Sequence, residues 1–160
     1  MPSYTVAKPS WFSRTHELRE NDHMLGELTM LKVLSCALAE ATMPDRTVRF
    51  GYKGWNVRKL FIQDTLGKDI ADVKGLSWWK QDAAVTIDGV TYTWKQKNWW
   101  GTRSGWFTSD GSEVLEMHVH WWSGIDIGSP ADLKGTTLLL ALFGIYLLKL
   151  QEMDASAAGV

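Results

Sequence analysis

His118 and His120 stand two residues apart in a stretch where Val114, Glu116, His118 and His120 alternate with Leu115, Met117, Val119 and Trp121. Such alternation is the period of a half-buried strand and points both imidazoles to one face. Two imidazoles so placed can share a metal ion, with Glu116 or Asp126 as a third ligand. Surface histidines on an alternating strand explain the same spacing, so the expectation is no bound metal and no cofactor. Asp64, Asp88 and Asp110 would suit paired-carboxylate chemistry, but each is followed closely by glycine, in Asp64-Thr65-Leu66-Gly67, Asp88-Gly89 and Asp110-Gly111. Asp and Gly together make tight turns, and turn chemistry accounts for all three. The chain has no Gly-x-Ser-x-Gly elbow, no phosphate-binding glycine loop and no His-Glu-x-x-His. A non-enzymatic protein is expected.

The richest constellation is Trp94-Lys95-Gln96-Lys97-Asn98-Trp99-Trp100-Gly101-Thr102-Arg103-Ser104-Gly105-Trp106, with four Trp, three cations and no acid. Trp78-Trp79-Lys80 repeats it in small. Indoles settle at the lipid headgroup level, where the ring is half apolar and its N–H stays wet. Cations beside them attract anionic lipid. The same residues suit stacking on single-stranded nucleic acid, or packing between a sheet and a helix. If 98–105 is a loop, Trp99, Trp100 and Arg103 lie on a rim. The candidate binding set is thus Trp78, Trp79, Lys80, Lys95, Lys97, Trp99, Trp100 and Arg103. Trp121-Trp122 raises the same question, since one indole of such a pair faces out of a strand and needs cover. Trp11-Phe12 or a partner chain could supply it.

The chain has 160 residues and a net charge of −1, with 10 Trp. That length supports one domain with a real core. The overall charge gives no nucleic-acid footprint. Its distribution is uneven: residues 1–45 carry −2, residues 46–107 carry +6 and residues 108–160 carry −5. A barrel would be expected to mix these blocks in space. The single cysteine, Cys36, lies in an apolar run and reads as a buried thiol. Residues 1–15 lack the apolar core of a secretory signal. A cytoplasmic protein, peripheral to a membrane, is the corresponding expectation.

About twelve short strands are expected to position these residues: Tyr4–Pro9, Thr15–Glu20, Met24–Leu31, Leu34–Ala41, Thr47–Lys53, Arg58–Gln63, Lys68–Val73, Ala83–Ile87, Val90–Lys97, Gly105–Ser109, Glu113–His120 and a last one near 122–127. One helix follows, over about 130–152, with Ser129 as its cap and Pro130 at its first position. The tail 153–160 is expected to fray. From Thr136 to Leu148 the helix is apolar on every side. Such a helix is either buried all round or in lipid, and this run is short for a span. A sheet of a dozen strands curls or closes. One closed antiparallel barrel around a buried C-terminal helix, filling residues 1–160, satisfies both signals.

The pattern resembles the tubby-like C-terminal superfamily, which includes phospholipid scramblases and LURP-one-related proteins. The residues that carry the likeness are Phe61–Gly67, Val85–Gly89, Trp106–Gly111 and the helix Leu133–Leu150. The resemblance implies a twelve-stranded barrel wrapped on a hydrophobic helix, and a non-enzymatic module for a lipid surface or a protein. No counterpart of the tubby phosphoinositide-binding residues, nor of the scramblase palmitoylated or calcium-binding segments, is carried over. Two other functions are open: a carrier barrel for a hydrophobic small molecule, and a metal-dependent enzyme at His118/His120. The expected partners are anionic lipid or a protein, and not nucleic acid.

Overall fold

The computed structural model describes residues 3–8, 13–31, 37–54, 59–75, 82–98, 100–120 and 124–158, with side chains to Asp154. Hairpin follows hairpin because Asp and Gly sit where the chain must reverse. Asp88 (φ 51°) and Gly89 (φ 79°) turn the chain between two strands, the double positive φ of the turn type that matches strand twist. Asp64 Oδ1 accepts the N–H groups of Leu66 and Lys68, each at 2.9 Å. Asp110 Oδ1 accepts from Ser112 N–H at 2.9 Å and from the Thr108 hydroxyl.

Twelve strands result: β1 Ser3–Ala7, β2 Thr15–Glu20, β3 His23–Met30, β4 Ala39–Thr42, β5 Thr47–Lys53, β6 Lys59–Asp64, β7 Asp69–Lys74, β8 Ala83–Ile87, β9 Val90–Gln96, β10 Arg103–Thr108, β11 Glu113–His120 and β12 Gly124–Gly128. Each pairs antiparallel with its sequence neighbours, and β1 closes onto β12 through Ser3↔Gly128 and Tyr4↔Ile127. The sheet is a closed barrel with no free edge. Most strand boundaries lie within one or two residues of the expected ones, and two differences bear on the argument. The fourth strand begins at Ala39, not Leu34, and residues 32–36, with Cys36, lie outside the described set. The tenth begins at Arg103, so Arg103 belongs to the wall and not to a loop over 98–105.

Helix α1, Thr136–Ala158, occupies the interior. It starts six residues later than expected, and Ser129 does not cap it. The reason is distance: β12 ends on the wall, and the helix lies on the axis. Residues 129–135 bridge that gap. The buried Ser129 hydroxyl donates to the Ala131 carbonyl (2.6 Å), the Leu133 N–H donates to the Tyr4 hydroxyl (3.1 Å), and Gly135 turns at φ 56°. The helix also extends past the expected end at 152, to Ala158; alanines such as Ala155, Ala157 and Ala158 favour helix. From Leu138 to Leu148 every helix residue is buried. Phe143 meets Phe50 edge-on (centroids 4.9 Å apart) and stacks on Trp106 (6.1 Å), which lies against Trp94 (5.3 Å).

Gly144 lets the helix approach the wall. A Cβ there would lie 2.8 Å from Met117 Sδ and 2.9 Å from Trp94 Cζ3. Gly→Ala inside a helix ordinarily stabilises by about 1 kcal/mol. Gly144→Ala is expected to reverse that sign and lower stability by about 1–3 kcal/mol, the range for overpacking. Urea unfolding of the two proteins checks this, and a stabilised variant would contradict the close approach.

Candidate functional site

Sequential antiparallel pairing sends every second connection to the same end of the barrel. The connections after β2, β4, β6, β8 and β10 share one end with the bridge into α1; we term it the entry end. Those after β1, β3, β5, β7, β9 and β11 share the other, the exit end, towards which α1 runs. The exit-end connections span 8–14, 31–38, 54–58, 75–82, 97–102 and 121–123, less than a quarter of the chain. Eight of the ten Trp fall in those segments of sequence. The other two, Trp94 and Trp106, are fully buried against the helix.

Charge divides the same way. The exit-end connections, with the strand residues bordering them and the last turns of α1 (Lys149, Glu152, Asp154), contain eleven Lys/Arg and three Asp/Glu. The entry-end set contains three Lys/Arg and nine Asp/Glu. The barrel therefore mixes the three blocks of the sequence in space, as expected, and at the same time sorts charge by end. Strands of about six residues separate the ends by roughly 15–20 Å. That exceeds the Debye length of about 8 Å at physiological salt, so the acidic end does not cancel the field at the basic one.

Cations on the wall are paired. Arg49 Nε lies 3.5 Å from Glu40, Arg103 Nη1 3.4 Å from Glu116, and Lys97 Nζ 3.1 Å from both Glu113 and Glu116. Burial works against the Lys97 ammonium, but hydrogen bonds to Glu113 and Glu116 outweigh it and raise its pKa. Lys95 lies on the outer wall over the Phe107 ring, 5.8 Å from its centroid, not on the rim. At the exit end the pattern is different. The side chains of Lys8, Arg14, Lys59 and Lys74 are exposed and make no ion pair or hydrogen bond among the described residues. Trp100, between β9 and β10, is 58% exposed.

Of the sequence-derived candidates, then, Trp100 is an exposed exit-end residue, Lys97 and Arg103 border that end but are tied to wall carboxylates, and Lys95 is elsewhere. Trp78, Trp79, Lys80 and Trp99 lie outside the described residues, as do Trp121, Trp122, Trp11 and Phe12. Sequence reasoning missed Lys8, Arg14, Lys59 and Lys74, which stand singly, tens of residues apart. Taking every second connection together would have found them.

The two histidines do share a face, with ring centroids 4.2 Å apart. The expected third ligands are engaged otherwise: Asp126 Oδ2 meets His120 Nε2 at 2.7 Å, and Glu116 holds Lys97 and Arg103. Among the described residues, no group of three His, Cys, Asp or Glu could hold a metal ion. His118, Asp126, Glu116 and Arg103 line an open depression of about 250 Å³ on the outer wall, with Ser3 and Gly128. The interior, where a carried ligand would sit, is occupied by α1. By length and composition the stretch Thr136–Asp154 could cross a membrane, and 67% of it is buried inside the barrel.

His16, at the start of β2, sits just inside the exit end. It is 6% exposed, and among the described residues neither ring nitrogen has a hydrogen-bond partner. Burial, then the positive charges of Lys149 and Lys8, push its pKa down to about 4, against the opposing pull of Glu152 and the Leu28 backbone. The unfolded chain thus takes up this proton first, near pH 6.5. The neutral ring's contribution is fully present above that pH and is lost as pH falls towards 4, by about 3 kcal/mol in all. His16→Met is expected to keep that stability. Urea unfolding between pH 7 and 4 would show the gap between the proteins widening as pH falls, and parallel curves would contradict the assignment.

A scan against protein-family models, a search of curated proteins and a search of solved structures each find no match to this chain.

Proposed function

We propose that this chain is a non-enzymatic, tubby-like binding module that docks on an anionic membrane surface with the exit end of its barrel. The observation that carries the reading is the sorting of charge by end: among the described residues, exposed cations without a carboxylate partner and the exposed Trp100 lie at one end, and most of the acids of the connections lie at the other. A cation that folding leaves without a carboxylate gains most from an external anion. Each Lys or Arg near an anionic leaflet is worth about 1 kcal/mol, and indoles anchor at the headgroup level. The helix is the core of the barrel in this reading and stays inside, which makes the protein peripheral. The twelve-stranded wall around an apolar helix is also what the tubby-like resemblance implies.

Co-sedimentation with vesicles tests the reading. The protein is expected to pellet with phosphatidylcholine vesicles containing phosphatidylserine and to stay in solution with phosphatidylcholine alone. Trp99→Ala/Trp100→Ala is expected to weaken pelleting. No binding to anionic vesicles would sink the proposal.

A further inference from the structure

We infer that the exit end senses the charge density of an anionic bilayer and does not select one headgroup, an inference that rests on the membrane-docking reading above. It follows from how the cations are spread. Lys8 and Arg14 flank the β1–β2 connection, Lys53 and Lys59 the β5–β6 connection, and Lys74 opens the β7–β8 connection. Adjacent strands are about 4.8 Å apart, so connections one hairpin apart stand about 10 Å from each other. Twelve strands tilted at about 40° make a ring roughly 24 Å across.

Selection of one phosphorylated headgroup needs several donors converging on one group, best supplied by the planar fork of arginine. Here the exposed cations are mostly lysines, which act as point charges. Among the described residues they are shared out over three connections around the ring, with Lys53 and Lys59 opposite one another in the β5–β6 register. The depression that Arg103 lines also holds Glu116 and Asp126, which repel a phosphate. The three groups therefore meet different lipids, and the lipids need only be negative. Trp100 adds an anchor indifferent to headgroup chemistry.

The test uses the full chain and vesicles matched in surface potential, with phosphatidylserine, phosphatidylglycerol or phosphatidylinositol 4,5-bisphosphate in phosphatidylcholine. Partition coefficients are expected to agree within about threefold and to fall together as salt is raised. Lys8→Gln, Lys59→Gln and Lys74→Gln are each expected to weaken binding by about fivefold, whichever is chosen. A preference above tenfold for one headgroup, or one lysine whose loss alone abolishes binding, would overturn charge-density sensing and leave membrane docking standing. Failure to bind any anionic vesicle would overturn both. So would tight binding of a single-stranded oligonucleotide by protein that ignores vesicles.

Discussion

Phe143→Asp is expected to leave the chain unable to fold. Phe143 is fully buried at the middle of α1, between Phe50 and Trp106. An aspartate there would lose the aromatic packing, which for Phe→Ala alone costs about 3–5 kcal/mol. It would also place a carboxylate in a site built from rings and aliphatic chains. That charge either stays unpaired or takes up a proton, at several kcal/mol more. The total is comparable to the whole stability of an ordinary domain, about 5–15 kcal/mol. Leu140→Asp is expected to behave alike, since Leu140 is equally buried. Circular dichroism with urea unfolding checks this: both variants should lack a cooperative transition. Were α1 a lipid anchor outside the barrel, the variants would remain folded and become more soluble.

The second large effect concerns binding. Lys8→Gln/Arg14→Gln/Lys59→Gln/Lys74→Gln is expected to reduce partition onto phosphatidylserine vesicles by about a thousand-fold. Four cations at about 1 kcal/mol each give that factor. The fold should not suffer, because all four side chains are exposed and make no ion pair or hydrogen bond among the described residues. Exposed substitutions of that kind shift stability by less than about 0.5 kcal/mol each. Asp22→Asn/Asp45→Asn, at the entry end, is the matched control and should bind as the parent does. Tighter binding by this control, which is more positive by two charges, would mean that net charge alone matters and the sorting by end does not.

Much of the fold is legible in the sequence because its signals are local. Asp88-Gly89 needs positive φ at two successive residues, and few alternatives to a hairpin exist. The apolar run Thr136–Leu148 has no polar stripe, so it demands cover on every side, and a closed sheet supplies it. The helix start was misread for a non-local reason. Ser129-Pro130 is a good local cap, but the wall-to-axis distance needs residues 129–135 as a bridge. The site was half legible. The segment Trp94–Trp106 looks like one cluster in sequence, yet alternation and a hairpin split it three ways. Trp94 and Trp106 face the helix, Lys95 faces the outer wall, and Trp100 lies at the exit end. Conversely, Lys8, Lys59 and Lys74 form no sequence cluster and gather only when the barrel closes.

Hydrogen–deuterium exchange, with and without phosphatidylserine vesicles, tests the central claim most directly. End-on docking predicts that vesicles slow exchange in peptides covering 8–14, 54–59, 75–82 and 97–102. The hairpins at Asn21-Asp22, Asp88-Gly89 and Ser109–Ser112, on the opposite end, should exchange unchanged. Protection of those entry-end hairpins, or of one side of the wall from end to end, would contradict the account.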